Sequence, residues 1–488
     1  MATLAAPYGR DFAPISRFPP EILIEIFSYN TSVITDFDAN VQWGTALDRL
    51  ANVGLLTLSQ VCSRWHSLVL DTPALWSLLY LNGVLWRTRR SLLKTIPLLS
   101  AALARSQNAP LSVKIFESDW KTGRKFNTMT TQHSVFQLLA QHSHRWRKAN
   151  FIFAESPLDM DLSCLKGKLP LLQSLALINR TVSPCSHTGD FLVGAPLLKS
   201  LSFFMGPGAY DATVVPVQQL TDLTCWVMKA TDITSIFTLA SKLPRDARLV
   251  LGLVYRRNPW PAYTTQPTPL YRLAISRLKI LSHCADPHMR KVSLPLAQIF
   301  ESIMLPSLKK LELTYNRPLF LQWPHEQFLQ LCERSAFPRC LKVLCIANLH
   351  IPERELIQVL SALHALEHLE ISYSDKRANQ YKLSSTDSSV TDNVLRALTS
   401  PAPRPIPRLR YFACDSFWLQ CSCDAFVDFV KSRLEESAPS VFRIQVWSAP
   451  DGDEGLSCAV PFHSRLQEMA ADSNGALLYN FTRVEPDA

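Results

Sequence analysis

Three neighbouring cysteines, Cys414, Cys421 and Cys423, carry the clearest potential for chemistry in this sequence, because thiolates bind Zn²⁺ and other soft metal ions. Cys62 and His66 lie four residues apart, a spacing that places two side chains on one face of a helix. A four-coordinate metal site needs a second pair of ligands, and neither group has such a pair at a suitable spacing. We interpret these cysteines as reduced structural thiols and expect neither a metal nor a cofactor.

Motifs that would indicate an enzyme are absent from the sequence. Gly206-Pro207-Gly208 lacks the third glycine of a dinucleotide-binding loop, so we interpret it as a turn. There is no Walker loop, no Gly-x-Ser-x-Gly elbow and no His-Glu-x-x-His. Catalytic triads assemble from distant residues, so an enzyme stays open as a class. We nevertheless expect a protein without catalytic residues.

The charge of the chain is concentrated in one region. The 488 residues include 50 Lys and Arg against 41 Asp and Glu, a net charge of +9. Between Arg87 and Lys148 there are 12 basic residues and two acidic ones, Glu117 and Asp119. We interpret this region as a solvated basic face, with an acidic protein partner as the second interpretation. Nucleic acid is not expected as a partner, because no zinc-finger, RNA-recognition or helix-turn-helix pattern accompanies the charge.

Targeting and membrane signals are also missing. Arg10 and Asp11 interrupt the N-terminal stretch where a signal peptide needs an apolar run. No run approaches the roughly 18 apolar residues of a membrane span. We expect a cytoplasmic or nuclear protein, with no membrane contact and with its cysteines reduced.

The N-terminal segment shows helical periodicity. Pro19 and Pro20 suit a helix start, and Ile22, Leu23, Ile26 and Phe27 then form one apolar stripe. A second helical pattern follows, and Leu75 and Trp76 begin a third short helix after Asp71-Thr72-Pro73. The second pattern consists of Leu55, Leu58, Val61, Cys62, Trp65, Leu68 and Val69.

Three blocks in this segment resemble the F-box, in a version closest to that of fungal F-box proteins. The blocks are Phe18-Pro19-Pro20-Glu21-Ile22-Leu23, Leu58-Ser59-Gln60-Val61-Cys62-Ser63-Arg64-Trp65 and Thr72-Pro73-Ala74-Leu75-Trp76. The family has leucine in place of Phe18, and residues 30–50 look like an insertion between the first two helices. The resemblance implies a helical module that binds the Skp-type adaptor of a cullin-RING ubiquitin ligase. The adaptor-binding residues it implies are Phe18, Pro19, Pro20, Ile22, Leu23, Ile26, Leu58, Val61, Cys62, Trp65, Leu75 and Trp76.

A short phrase recurs through the rest of the chain: an apolar residue, followed by others three and five positions later. From position 146 to 220 and from 308 to 366 the copies start 22 to 33 residues apart, a spacing typical of a leucine-rich repeat with one strand and one helix or loop per unit. Full copies are Pro170-x-Leu172-x-x-Leu175-x-Leu177, Pro196-x-Leu198-x-x-Leu201-x-Phe203, Pro306-x-Leu308-x-x-Leu311-x-Leu313 and Pro407-x-Leu409-x-x-Phe412-x-Cys414. Weaker copies are Trp146-x-x-Ala149-x-Phe151, Leu220-x-x-Leu223-x-Cys225, Leu341-x-x-Leu344-x-Ile346 and Leu366-x-x-Leu369-x-Ile371.

The predicted fold class is α+β, a small N-terminal helical F-box followed by an irregular leucine-rich-repeat-like α/β solenoid (a horseshoe). We predict a flexible N-terminus over residues 1–15, the module over 16–82, the solenoid over 83–432 and a C-terminal cap and tail over 433–488. Phe136 to Ala140 and Glu355 to Leu360 are predicted on helices. The residues between the apolar positions would line the concave face, among them Ala176, Ser202, Glu312, Cys345 and Glu370. The long gap between 223 and 308 keeps a non-repeat α/β domain open as the alternative.

The combined architecture resembles that of substrate receptors in SCF ubiquitin ligases. It implies a non-catalytic subunit that contacts cullin and RING subunits through the adaptor and holds an unidentified protein substrate on its repeats. The alternative is a stand-alone repeat scaffold, or a nucleic-acid-binding protein, in which the N-terminal module only caps the array.

Overall fold

The structure of this chain, a computed structural model, divides into two compact units. The first comprises Met1–Leu198 with Val214–Pro216, and the second comprises Lys199–Thr213 with Val217–Ala488. The structure describes residues 14–32, 51–82, 89–116, 129–153, 162–179, 190–205, 215–227, 230–255, 269–284, 296–315, 323–349, 351–372, 390–400, 405–415, 419–436, 441–448 and 453–483. Residues 1–13 of the predicted flexible N-terminus (1–15) and residues 33–50 of the predicted insertion lie outside them, while Pro14–Arg17 form a 3₁₀ helix.

The N-terminal part of the first unit is helical. It contains α1 (Pro20–Ser32), α2 (Ala51–Ser59), α3 (Ser63–Asp71) and a 3₁₀ helix (Pro73–Ser77). The prediction of one helical pattern from Leu55 to Val69 is wrong, because the chain turns after α2 and Cys62 is extended, with φ −159° and ψ 168°. The apolar spacing continues across this break although Val61 and Cys62, at the turn, are exposed. The third predicted helix is the 3₁₀ turn that begins at Pro73.

A parallel sheet follows in the first unit. Its strands are β1 (Leu78–Asn82), β2 (Leu111–Phe116), β3 (Trp146–Phe153) and β4 (Ser174–Asn179), which pair in chain order. Parallel strands need crossovers, and α4 (Arg89–Arg105) and α5 (Met129–Ala140) supply them after β1 and β2. The register aligns four buried residues, Leu79, Val113, Ala149 and Leu175, in one row of the core.

The second unit extends the same plan over more strands. The strands of its main sheet are β5 (Ser200–Met205), β6 (Asp222–Val227), β7 (Arg248–Tyr255), β9 (Arg277–Cys284), β11 (Lys310–Tyr315), β12 (Val343–Ala347), β13 (His368–Ser372), β15 (Tyr411–Asp415), β17 (Phe442–Ser448) and β18 (Leu477–Arg483). All pair in parallel in this order. Short parallel pairs join β8 (Tyr271–Arg272) to β10 (Ile303–Met304) and β14 (Val390–Thr391) to β16 (Leu419–Gln420).

Helices occupy many of the connections between these strands. They are α6 (Ala230–Ala240), α7 (Leu296–Ser302), α8 (His325–Arg334), α9 (Phe337–Cys340), α10 (Glu353–Ser361), α11 (Asp392–Thr399), α12 (Cys423–Glu436) and α13 (Asp453–Asp472). The predicted helical residues Phe136 to Ala140 and Glu355 to Leu360 lie in α5 and α10, so those predictions are confirmed. No helix in the described ranges is both long and apolar enough to cross a membrane.

The repeat of the sequence is visible in the hydrogen bonds. In four consecutive strands of the second unit, the residue before the strand donates its N–H to the carbonyl of the equivalent residue one strand earlier: Lys309 to Ser276, Lys342 to Lys309, Glu367 to Lys342 and Arg410 to Glu367, at 2.8–2.9 Å. The core repeats as well, because Leu278, Leu311, Leu344, Leu369, Phe412 and Ile444 are aligned by register and buried. The last two apolar residues of all eight sequence phrases lie on parallel strands of the two units.

The gap between 223 and 308 does not interrupt the second unit. It contains β7 and β9, which pair with each other. A further copy of the phrase, Ile275-x-x-Leu278-x-Ile280, begins two residues before β9 and ends within it. The strand pattern also continues beyond residue 432, since β17 and β18 extend the sheet to Arg483 and α12 spans the predicted boundary of the C-terminal cap.

Candidate protein-interaction site

Helix α1 is apolar on two adjacent faces. Leu23 and Phe27, one turn apart, are fully buried in the first unit. Ile22 and Ile26, also one turn apart, keep 44% and 41% of their surface exposed, and Tyr29 continues the same line. Together with Phe18, which precedes the helix, they form what we call the α1 stripe: Phe18, Ile22, Ile26 and Tyr29. An aligned set of exposed apolar side chains is typical of a surface that contacts another protein.

Contacts with α3 fix the orientation of α1. The rings of Phe27 and Trp65 meet edge to face with centroids 4.8 Å apart. The Arg64 guanidinium donates a hydrogen bond of 2.6 Å to the backbone carbonyl of Phe18. Because the start and the middle of α1 are held in this way, the stripe is a preformed surface.

The turn between α2 and α3 exposes further apolar surface in the same module. Val61 lies at the turn and keeps 58% of its surface exposed, and Leu56 on α2 is exposed as well. Cys62 is also exposed, with its backbone carbonyl accepting a hydrogen bond from the His66 N–H. The Nδ1 atom of His66 lies 3.1 Å from the carbonyl oxygen of Ser59, the last residue of α2. Cys62 and His66 therefore make hydrogen bonds where α2 ends and α3 begins.

The structure separates the predicted adaptor-binding residues by exposure. Seven of them are exposed: Phe18, Pro19, Pro20, Ile22, Ile26, Val61 and Cys62. Leu58 and Trp65 are half-buried. Leu23, Leu75 and Trp76 are buried. The Trp76 indole donates to the carbonyl of Val69 at 2.7 Å, and the guanidinium of Arg105 lies over its ring at 4.8 Å. The three buried residues therefore shape the module from inside, and their direct contact with an adaptor stays a prediction.

Residues 15–82 match the F-box-like family model. The matched segment contains the α1 stripe, the turn at Val61, the buried Trp76 and the first strand of the sheet. F-box domains bind Skp1-type adaptors. No curated protein matches the chain. We refer to residues 15–82 as the F-box-like domain.

The second unit contains polar side chains where its strands do not face the core. We call the residues that alternate with the buried ones the second face of the sheet. In its middle row, register aligns Lys279, Glu312, Cys345 and Glu370 on four consecutive strands. The Glu312 carboxylate accepts contacts from Lys279 at 3.2 Å and Lys310 at 2.6 Å. Burial alone would raise the pKa of Glu312, but the two lysines outweigh it and hold that pKa below its usual range.

Cys345, His368 and Glu370 come together on this face. Their sulfur, imidazole nitrogen and carboxylate oxygen atoms all lie within 4.8 Å of one another. Burial, and after it the charge of Glu370, raise the pKa of the Cys345 thiol to about 12. His368, burial and the Cys345 thiol act together on Glu370, and the net effect is to lower the pKa of its carboxyl. The thiol is therefore protonated at neutral pH, which does not favour a nucleophile.

Cysteine and basic residues singled out in the sequence have structural surroundings. Cys414 is buried on β15, whereas Cys421 and Cys423 are half-buried at the start of α12. Arg145, a member of the basic region, is buried and donates to the carbonyls of Ser106, Gln107 and Ala109. Part of the positive charge between Arg87 and Lys148 thus stabilises the fold of the first unit.

The concave-face prediction located two of the three clustered residues. Cys345 and Glu370 were expected there because they alternate with leucines, whereas His368 was missed. Its signal was its position two residues before Glu370 on the same strand, which places both side chains on one face.

Proposed function

We propose that this protein is the substrate-recognition subunit of an SCF-type cullin-RING ubiquitin ligase. The F-box-like domain docks on a Skp-type adaptor, and through the adaptor the chain contacts the cullin and RING subunits. The observation that carries the proposal is the α1 stripe, an exposed apolar surface within the segment that matches the F-box-like family model.

The strand array is proposed to hold the protein substrate. Three observations support a leucine-rich-repeat horseshoe: parallel strands paired in chain order, recurring hydrogen bonds between equivalent residues, and sequence phrases that recur every 22 to 33 residues from position 146 to 220 and from 308 to 366. Its second face offers charged and polar side chains such as Lys279, Glu312 and Glu370 for contacts with a partner. A receptor of this kind makes and breaks no bonds itself, since it acts by raising the effective concentration of substrate lysines near the conjugating enzyme.

Burial of the α1 stripe by an adaptor supplies a measurable free energy. Complete burial of an aliphatic side chain is worth about 1.5–3 kcal/mol. Ile26 has 41% of its surface left to bury, so the contact contributes roughly 1 kcal/mol, which is about fivefold in affinity. A charged substitution at this position should cost much more, because the interface would then desolvate a carboxylate without a partner.

The test is co-expression of the full chain with a fungal Skp-type adaptor, followed by size-exclusion chromatography. The variant Ile26→Asp changes an exposed residue of the stripe, and Leu98→Asp on α4, at 64% exposure, is the matched control outside the family match. We expect wild type and Leu98→Asp to elute as an equimolar complex with the adaptor and Ile26→Asp to elute alone. Circular dichroism of each variant verifies that it is folded.

The opposite result favours the second candidate, a stand-alone scaffold or nucleic-acid-binding protein. A folded wild-type chain that never associates with the adaptor would contradict the ligase proposal, as would an Ile26→Asp variant that binds like wild type. Salt-dependent binding of the wild type to nucleic acid would then support the binder form. The internal contacts of Arg105 and Arg145 favour the ligase proposal, because they account for part of the basic charge.

A further inference from the structure

We propose that Cys345, His368 and Glu370 bind a Zn²⁺ ion on the second face of the sheet. The first support is the backbone itself. His368 and Glu370 lie two residues apart on β13 and so point to one face, and the parallel register places Cys345 of β12 directly beside Glu370. Three potential ligands are thereby brought together by strand geometry, without a loop.

The distances suit a metal centre with small side-chain adjustments. The three ligand atoms lie within 4.8 Å of one another, and the His368 Nε2 to Glu370 Oε2 distance is 3.8 Å. Zinc with bonds of about 2.0–2.3 Å to sulfur, nitrogen and oxygen in tetrahedral geometry separates its ligands by about 3.3–3.6 Å. A donor set of one thiolate, one imidazole and one carboxylate favours zinc over magnesium or calcium, which prefer oxygen alone.

The surroundings of the ligands hold them in place. The Tyr411 ring stacks on the His368 imidazole with centroids 4.0 Å apart and an interplanar angle of 14°. The Ser372 hydroxyl donates to Glu370 Oε1 at 3.3 Å, which leaves Oε2 on the side of His368. His368 Nε2 is shielded from solvent and has no hydrogen-bond partner among the residues that the structure describes. A buried nitrogen of this kind is what a metal ion would satisfy.

The arrangement differs from that of a cysteine nucleophile with its base. In a nucleophilic pair the imidazole lies beside the thiol and removes its proton, and a carboxylate orients the imidazole from the far side. Here the Glu370 carboxylate does not lie on the far side of the imidazole: its oxygen is within 4.8 Å of the Cys345 sulfur and 3.8 Å from His368 Nε2. A negative charge next to the thiol opposes its ionisation, whereas a divalent cation between the three groups removes that opposition.

Binding is a simple exchange. The thiol of Cys345 releases one proton to solvent, and the thiolate and the Glu370 carboxylate together neutralise the two positive charges of the ion. The adjacent carboxylate of Glu312 is already compensated by Lys279 and Lys310. The side chains of His368 and Glu370 are each 30% exposed, although the Nε2 atom of His368 is shielded from solvent.

The experiment is a titration of the reduced full-length chain with Co²⁺ as a spectroscopic probe for zinc. We expect a thiolate-to-metal band in the near ultraviolet and visible bands typical of tetrahedral cobalt, at one equivalent, which Zn²⁺ then abolishes. The Cys345→Ser variant should lose the thiolate band. Loss of a direct ligand should weaken binding by more than the roughly 10–100-fold typical of outer-shell changes. Glu370→Gln should likewise weaken it while keeping the thiolate band at high metal concentration.

Cys340→Ser is the matched control, because Cys340 is a half-buried thiol of the same unit that donates to the carbonyl of Ala336 at 3.2 Å and lies outside the cluster. It should bind Co²⁺ like wild type. A folded wild-type chain that gives no thiolate band in excess Co²⁺, or a Cys345→Ser variant that keeps the band, would overturn the proposal. Adaptor binding is independent of the site: Ile26→Asp should keep the cobalt spectrum, and Cys345→Ser should keep the adaptor complex.

Discussion

Gly252 on β7 lies directly under the ring of Trp226 on the neighbouring strand β6. The register pairs the two residues, and both belong to the second face. A Cβ atom added at Gly252 would lie 2.2 Å from Trp226 Cε3 and 2.6 Å from Cδ2. Non-bonded carbon atoms prefer about 3.5–4.0 Å, so the rigid indole would have to move by more than 1 Å. Trp226 is 8% exposed and therefore has little free space into which it can shift.

We predict that Gly252→Ala destabilises the second unit in the presence of Trp226 and stabilises it in its absence. Overpacking of this kind costs roughly 1–3 kcal/mol, while alanine gains about 0.5–1 kcal/mol over glycine within a strand. The net loss in the wild-type background therefore lies between about 0 and 2.5 kcal/mol, and the close approach of 2.2 Å favours the upper half of this range. In a Trp226→Ala background the obstacle is gone, and the same change should raise stability by about 0.5–1 kcal/mol.

The assay is urea unfolding of the four proteins of this double-mutant cycle, followed by far-ultraviolet circular dichroism because one variant removes a tryptophan. Gly54→Ala on α2 is a control, since no atom lies within 4 Å of the added Cβ, and it should be neutral or stabilising. An equal loss of stability from Gly252→Ala in both backgrounds would refute the reasoning. It would mean that the backbone at Gly252, and not the indole ring, excludes a side chain.

Three further predictions concern stability. Glu312→Gln should make the stability of the second unit less sensitive to acid, measured as the urea midpoint of unfolding at a series of pH values. The pKa of Glu312 is lowered in the folded protein, so its carboxylate stabilises the fold at neutral pH. This stabilisation is lost as the pH falls through the folded-state pKa of Glu312. Arg433→Met should lower the free energy of unfolding by about 3 kcal/mol, measured by urea titration. The reason is that the buried guanidinium donates hydrogen bonds to backbone carbonyls, including that of Leu398 at 2.7 Å. Equal stability of wild type and variant would contradict this role. Gly194→Ala should lower the melting temperature more than Gly167→Ala. Both glycines have positive φ, 97° and 72°, which disfavours alanine, but only a Cβ at Gly194 would approach another backbone atom, the Cα of Gly167 at 3.3 Å. Equal losses of melting temperature would show that the positive φ alone determines the cost.

The sequence allowed the strands to be predicted because each repeat phrase places two apolar residues on one side of a strand. β7 was missed because Asp246 occupies the first apolar position of the phrase. β9 follows Ile275-x-x-Leu278-x-Ile280, which lacks the preceding proline as the four weaker copies do, so the sequence did carry the signal for this strand. The break at Cys62 was missed for a different reason: apolar spacing reports residue types alone, and Val61 and Cys62 fit the helical spacing although both are exposed at the turn. The site at Cys345 and Glu370 depends on which residues of β12 and β13 lie opposite each other, and register is a property of the folded sheet.

The two faces of α1 show the same limit on a smaller scale. Leu23 and Ile22 are both apolar and adjacent, and the sequence predicted adaptor contact for both. In the structure Leu23 turns inward together with Phe27, which packs against Trp65, and Ile22 stays exposed. Exposure therefore had to come from the structure, and it moves the informative substitution from Leu23, where a charge would unfold the domain, to Ile26.

Chain-order pairing in the second unit has a consequence during synthesis. Each strand from β6 to β18 that joins the main sheet pairs with a strand that precedes it in the chain. A segment leaving the ribosome therefore finds its template already emerged, and the unit can grow one strand at a time at the pace of translation. Until β18 arrives, the growing end presents unpaired backbone groups, so a nascent chain stalled before residue 477 should be a target for chaperones.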